Sequence, residues 1–184
     1  RVGAVVRNTP DTVLVALACA AIGATWSAAA PDMGPDALLS RFGQLDPVLL
    51  VAHGETTLQG VARPLSDRLD ALRERLVTLR HVLALDRAAT QVPWSCPVAT
   101  LEALGAASPL QRYPDLPFDH PLYVLFSSGT TGIPKGIIHG AGGTLLEHLK
   151  EHRLHGDLGP GDVLLYYTTC GWMMWNWLVS GLGA

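Results

Sequence analysis

The sequence is short of charge, of lysine and of cysteine, and each shortage excludes something. Only 16% of the 184 residues are charged and the formal net charge is −3, with no block of like charges. A nucleic-acid partner needs a basic face, and none is written here. The three cysteines, Cys19, Cys96 and Cys170, are scattered, odd in number and form no Cys-x-x-Cys pair. They build no disulfide framework and suit a reducing, cytoplasmic compartment. No secretory leader is visible, although a piece of a longer chain can have lost one. Internal repeats and low-complexity tracts are also missing.

What is plentiful is apolar. Hydrophobic residues make up 48% of the chain, which is high for a free-standing domain. The first residue is Arg1 rather than Met and the last are Gly183 and Ala184. The reading is an internal piece of a longer protein, with apolar surface meant for the remainder of the parent polypeptide. The length is enough for one domain with a real core.

Strand and helix signals alternate. Residues 1–7 (RVGAVVR) read as a short buried strand. Asn8, Thr9, Pro10 and Asp11 then give a capping hydroxyl, a proline for the first turn and an acid beside it, which start a helix. Residues 12–31 carry no charge, long enough to raise a membrane span. The run is mostly alanine, and a capped helix ending near Gly23 explains it better. Pro35–Leu45 reads as a second helix, 47–52 as a strand, 61–79 as a helix with arginines on one face, and 81–85 as a strand. Residues 86–120 read as a surface connection rich in Pro, Ala and Ser. Residues 121–126 (PLYVLF) and 136–139 are strands. Thr144 to Glu147 (TLLE) reads as a capping box for a helix that stops at Gly156. Residues 162–168 read as a further strand. The last 22 residues, 163–184, are uncharged and hold three of the five tryptophans. A membrane span is again the rival, but Thr168 to Gly171 breaks the run, so a strand, a turn and a helix buried on all sides are expected. Alternation of this kind predicts an α/β fold with a largely parallel sheet.

Between the strands at 121–126 and 136–139 lies FSSGTTGIPKG, residues 126–136. It holds four hydroxyl side chains, three glycines and a lysine. A Walker loop is excluded, because Pro134 precedes Lys135 and Gly136 stands where the magnesium-binding hydroxyl belongs. A Gly-x-Ser-x-Gly elbow is excluded because Phe126 occupies its first glycine position. The chemistry still suits a polyphosphate. Gly129 and Gly132 permit backbone shapes in which successive N–H groups converge on an anion. Ser127, Ser128, Thr130 and Thr131 add hydroxyl donors. Lys135, one of only two lysines beside eleven arginines, puts a compact charge where a leaving pyrophosphate gathers negative charge.

This loop resembles the phosphate-loop motif of the adenylate-forming superfamily, which includes acyl-CoA synthetases, luciferases and peptide-synthetase adenylation domains. Every fixed position of that motif is present. The flanks HGAGGTLLEHLKEHRLHGDL (139–158) and YTTCGWMMWNWLVSGL (167–182) resemble the acetoacetyl-CoA synthetase branch, as does GATWSAAAPDMGPDALLSRFGQLDP (23–47). The resemblance covers most of the chain and is weakest across 53–118. It implies a partial N-terminal domain of the adenylate-forming fold, mostly parallel sheet with flanking helices. Residues 1–184 would be part of the AMP-binding domain, with the small C-terminal domain elsewhere in the parent.

The resemblance also implies the chemistry: acetoacetate and ATP give an acyl-adenylate, and the thiol of CoA then displaces AMP. Residues 127–136 would wrap the phosphates of ATP, with Lys135 as the catalytic charge. Trp172 matches a tryptophan bordering the acyl pocket of acetate-activating relatives, with Met174 and Trp175 close by. The ligand for Mg2+ would lie outside this chain, as would the residues that hold ribose and adenine. The piece alone is therefore expected to be inactive and poorly soluble.

Other readings stay open. His139 either faces the site or ends a strand, and the strand end is preferred. His148 and His152 have metal-ligand spacing, but no cysteine or carboxylate converges beyond Glu147 and Glu151. Their face is expected to meet water, and no metal site is assigned. An acetyl- or short-chain acyl-CoA synthetase is the nearest alternative. A membrane-associated protein and a non-catalytic nucleotide binder are the alternatives of other classes.

Overall fold

The computed structural model describes residues 1–105, 108–128 and 132–184. The elements follow in chain order: β1 (Val2–Val5), α1 (Pro10–Ala21), β2 (Trp26–Ala29), α2 (Pro35–Leu45), β3 (Leu49–Ala52), β4 (Glu55–Leu58), β5 (Val61–Pro64), α3 (Ser66–Arg75), β6 (His81–Ala84), α4 (Arg87–Thr90), β7 (Val98–Thr100), α5 (Leu101–Leu104), β8 (Pro121–Ser127), β9 (Lys135–Gly140), α6 (Ala141–Lys150), a π-helical turn (Glu151–His155) and α7 (Met173–Ser180). Seven strands form one sheet in the order β7-β6-β3-β1-β2-β8-β9, and β4 and β5 form a separate hairpin. All neighbours in the large sheet are parallel except β8 and β9. The expected α/β fold with a mostly parallel sheet is what forms.

Alternation along each strand divides the core in two. Val5, Leu50, Ala52, Val82, Ala84 and Val124 face one way, toward Leu38 and Phe42 of α2 and Leu69 and Leu72 of α3. Val2, Ala4, Val51, Leu83, Tyr123 and Leu125 face the other, toward Val15 and Cys19 of α1 and Trp175 of α7. A sheet covered on both faces needs apolar residues at every position, so its strands read as continuous apolar runs. Phe42 is wholly buried, and truncating such a ring costs about 3–5 kcal/mol.

The first helix starts as its sequence dictates. Thr9 Oγ1 accepts from Thr12 N at 3.4 Å and Pro10 opens the helix. The helix ends before Gly23, whose φ of 74° is left-handed. That turn lets the chain fold back into β2, which the sequence reading missed because it sits inside the uncharged run. β2 pairs with β8 through a single register pair, Trp26 with Tyr123. The buried Ser27 hydroxyl donates to the Val124 carbonyl at 2.8 Å and knits the two strands further.

Several boundaries differ from expectation, for identifiable reasons. Residues 61–64 are not helical: they pair with β4 in a hairpin, and helix α3 spans only Ser66–Arg75. Residues 86–120 are not only connection, because Val98–Thr100 adds a parallel strand to β6. The Thr144 capping box does not form. α6 begins four residues earlier with Gly140 as its cap, because residues 135–140 are held by β8 up to that point. The helical stretch does stop at Gly156, whose N–H reaches Glu151 O at 2.8 Å in a π turn. Residues 162–168 are not a strand: among the described residues nothing pairs with them, and Val163, Leu165 and Tyr167 are exposed. Helix α7 forms, but only Trp175 within it is fully buried. The face of α6 expected in water is instead internal, with His148 and His152 both buried.

Candidate functional site

The phosphate-type loop is the tip of a hairpin. β8 and β9 run antiparallel, and Ser127 stands opposite Lys135 at the base of the loop. Ser127, Ser128 and Lys135 are all exposed, so their polar ends face solvent and whatever enters from it. Gly132 has φ of 84°, and no atom would lie within 4 Å of a Cβ there. The backbone turns freely into a conformation that side chains rarely adopt. Gly129, Thr130 and Thr131 lie outside the described residues.

The exit of the loop is fixed twice. Pro134 is buried, and its carbonyl accepts from Gln44 Nε2 of α2 at 3.0 Å. At Gly136 a Cβ would stand 3.3 Å from the Phe126 ring and 3.4 Å from Val124. Lys135 therefore follows a clamped proline and precedes a residue packed against β8. Its main chain is held in place while its side chain is exposed.

The second predicted region lies at the same edge of the sheet. The turn before α7 rests on the carboxyl end of β2: a Cβ on Gly171 would lie 3.3 Å from Ala30 N and 3.5 Å from Ala28 O. The neighbouring strand β8 leads straight into the loop. Ligands of open α/β sheets bind in the crevice outside the carboxyl ends of the strands, and the loop and the Trp172 turn border that crevice on adjacent strands. Trp172 is the N-cap of α7 and is 65% exposed. With Met173, Met174, Tyr166 and Tyr167 it borders an open groove of about 410 Å³.

Trp175 is placed differently. It is 1% exposed, and its indole Nε1 donates to Asn8 Oδ1 at 2.9 Å. It borders a separate cavity of about 190 Å³ between α1, α6 and α7. The structure thus brings Trp172 and Met174 together on the groove and sets Trp175 behind them. His139, in β9, is half-buried, with its ring centroid 4.8 Å from that of Tyr123. Burial holds its pKa below the ordinary value.

Two of the three cysteines are withdrawn from nucleophilic chemistry by burial. Burial pushes Cys170 up to about 12 and Cys19 up to about 11, so both thiols stay protonated at neutral pH. All three cysteines are free.

Three features were invisible in the sequence. Asn8 holds α7 from a loop 167 residues away. Gln44 holds the loop exit from across 90 residues. His148 and His152 converge on Ser180 of α7. Only the four-residue spacing of the histidines gave a local signal, and it pointed to metal chemistry. No helix among the described residues is long and apolar enough to cross a membrane.

The similarities to known proteins agree with this arrangement. Acetoacetyl-coenzyme A synthetase of Rhizobium meliloti (strain 1021) is 47% identical over 186 residues, covering 99% of this chain and 28% of the relative. Acetoacetyl-CoA synthetase of Mus musculus is 43% identical over 196 residues, with the same two coverages, 99% and 28%. The solved structure of acetoacetyl-CoA synthetase from Streptomyces lividans superposes with a TM-score of 0.91 at 46% identity, covering 99% of this chain and 28% of that one. The chain thus spans between a quarter and a third of the length of these relatives. The family model described as AMP-binding enzyme matches residues 1–182, and the chain belongs to that family.

Proposed function

We propose that this chain is the phosphate-gripping and acyl-facing part of an acetoacetate–CoA ligase. The observation that carries the reading is the placement of the loop and the Trp172 turn on adjacent strand ends of one crevice. Relatives named acetoacetyl-CoA synthetase, more than 40% identical across nearly all of the chain, supply the substrate. A carboxylate oxygen of acetoacetate attacks the α-phosphorus of ATP, and the bond to pyrophosphate breaks. The thiol of CoA then attacks the acyl carbon, loses its proton and expels AMP. Neither step needs a covalent bond to the protein, so orientation and charge stabilisation suffice.

Each residue has a role in that scheme. Lys135 balances charge on the departing pyrophosphate. Ser127, Ser128, Gly129, Thr130, Thr131 and Gly132 line the phosphates. Trp172 and Met174 give the short acyl chain a flat apolar wall, and Trp175 supports them from behind. Among the described residues no three His, Cys, Asp or Glu side chains converge. None of these residues is assigned to magnesium, whose ligand is proposed to lie in the remainder of the parent polypeptide. Residues 1–184 form part of the N-terminal AMP-binding domain, and the small C-terminal domain lies elsewhere in the parent. Free buried thiols suit a cytoplasmic setting.

The test is pyrophosphate release by the full-length protein with ATP and magnesium, comparing acetoacetate with acetate. Preference for acetoacetate supports the assignment. Preference for acetate keeps the chemistry and replaces the substrate. Failure to release pyrophosphate with any carboxylate sinks the ligase reading.

A further inference from the structure

Ser180 is the last residue of α7, and its half-buried hydroxyl is the meeting point of two buried histidines. Ser180 Oγ is 2.8 Å from His148 Nδ1, 3.0 Å from His152 Nε2 and 2.6 Å from the Trp177 carbonyl oxygen. His152 Nε2 is also 3.0 Å from that carbonyl. A serine hydroxyl has one proton to give and two lone pairs to receive with, and a carbonyl only receives. One assignment turns all four contacts into hydrogen bonds. Ser180 donates to the Trp177 carbonyl and accepts from His148 Nδ1–H. His152 Nε2–H is shared between Ser180 Oγ and the carbonyl. If Ser180 instead donated to His148, its oxygen would face the Trp177 oxygen at 2.6 Å with no proton between them.

The partners come from two different backbone segments. His148 belongs to α6, and His152 belongs to the π turn that follows it. The His152 ring also lies against the Trp177 ring, with centroids 4.5 Å apart. Buried polar groups of this kind are costly unless every one is paired, and a fully paired network fixes one arrangement. π turns recur at functional sites.

We propose that Ser180, His148 and His152 form a clasp that positions α7, and through it the Trp172 and Met174 wall, for the carboxylate substrate. The proposal rests on the ligase reading above. Helix α7 has eight residues, too few to hold a helix in place without tertiary contacts. Trp175 fixes its depth through Asn8, and the clasp fixes its rotation. Met173, Trp177 and Ser180 follow the i, i+4, i+7 spacing of one helix face. Met173 and His148 border one cavity of about 480 Å³ together with His139 and Phe118. Rotating α7 away from the clasp moves Met173 and Met174 with it and turns the Trp172 cap. A binding wall has to stay within about half an ångström of its productive position. The three clasp residues are thus positioning residues that act on the acyl side alone. The phosphate loop hangs from β8 and β9 and is anchored by Gln44 instead.

That separation gives the test, made in the full-length protein. Ser180→Ala and His152→Phe are expected to raise KM for the carboxylate by about 10-fold to 100-fold, with KM for ATP within about twofold, as for an unchanged loop. Ser180→Thr keeps the hydroxyl and is expected to restore the wild-type value, its methyl turned into the cavity that Ser180 borders. Amide exchange across α7 is expected to accelerate at least about tenfold in Ser180→Ala, with β1 unchanged. Wild-type carboxylate KM with unchanged α7 exchange in Ser180→Ala overturns the clasp. So does a parallel rise in both KM values, which is general loosening. A wild-type protein that turns over no carboxylate sinks the ligase reading instead, and the α7 exchange still decides whether the clasp holds the helix.

Discussion

The indole of Trp175 donates its N–H to the side-chain oxygen of Asn8 at 2.9 Å, joining residues 167 positions apart. Asn8 sits in the loop between β1 and α1, at the carboxyl edge of the sheet. Trp175 is 1% exposed and belongs to the core on that side. One bond therefore ties the segment after β1 to the helix that carries the proposed acyl wall.

Asn8→Ala leaves the indole N–H buried without an acceptor. The expected loss is about 1–3 kcal/mol. Trp175→Phe removes the donor together with part of the ring and should cost a similar amount or more. The double variant should lose less than the sum of the two, and urea unfolding of each protein checks this.

Lys135→Ala removes the one cation of the loop. Pyrophosphate release is expected to slow by roughly 10²–10³-fold, as for losing a preorganised charge donor. Steady-state assays at saturating acetoacetate measure it. A change below about threefold would remove Lys135 from the proposed role.

Gln44→Glu replaces the amide donor that holds Pro134 O with a group that only accepts. The loop exit loses its tether. KM for ATP is expected to rise by about tenfold, the equivalent of one hydrogen bond. KM for acetoacetate should stay put, so comparing the two constants separates loop from acyl wall.

His53 supplies a pH dependence of stability. It is buried at the end of β3, and its Nδ1 accepts from Arg7 N at 3.3 Å. Burial pushes its pKa down to about 4, and the nearby Arg7 guanidinium adds to the effect. In the unfolded chain the ordinary value is about 6.5. Between these values the unfolded state binds more protons, so the contribution of His53 is complete above pH 6.5 and is lost as pH falls toward 4. The expected loss is about 3 kcal/mol across that window. Thermal melts at pH 7.5 and pH 5 should differ in this sense, and His53→Asn should flatten the difference.

The thiols give a chemical check on packing. Cys170 and Cys19, pushed up to about 12 and about 11 by burial, should resist iodoacetamide at pH 8 in the folded protein. Cys96 is only partly buried and should be alkylated first. Peptide mass mapping after brief labelling reads the order.

The sequence by itself determined the local punctuation and singled out the loop at 126–136. Thr9 and Pro10 start α1, Pro35 opens α2 and Gly156 closes the turn after α6, because caps and prolines act over a few residues. The glycine, hydroxyl and lysine pattern of 126–136 carries the proposed phosphate grip within eleven consecutive residues. Tertiary structure decided the rest. β2 was hidden in an alanine-rich run, because a strand is defined by a neighbour and Trp26 meets Tyr123 across 97 positions. Residues 61–64 became a strand and 162–168 did not, for the same reason: a partner strand was present for one and not for the other. His148 of α6 and His152 of the π turn looked like a wet metal-spaced face until α7 covered them and gave them Ser180. Trp172 and Trp175 read alike in the chain, yet three positions on a helix set one on the groove and the other in the core. Short-range chemistry is written in order along the chain. Partnership between distant segments forms only when the sheet and its two helical layers bring them together.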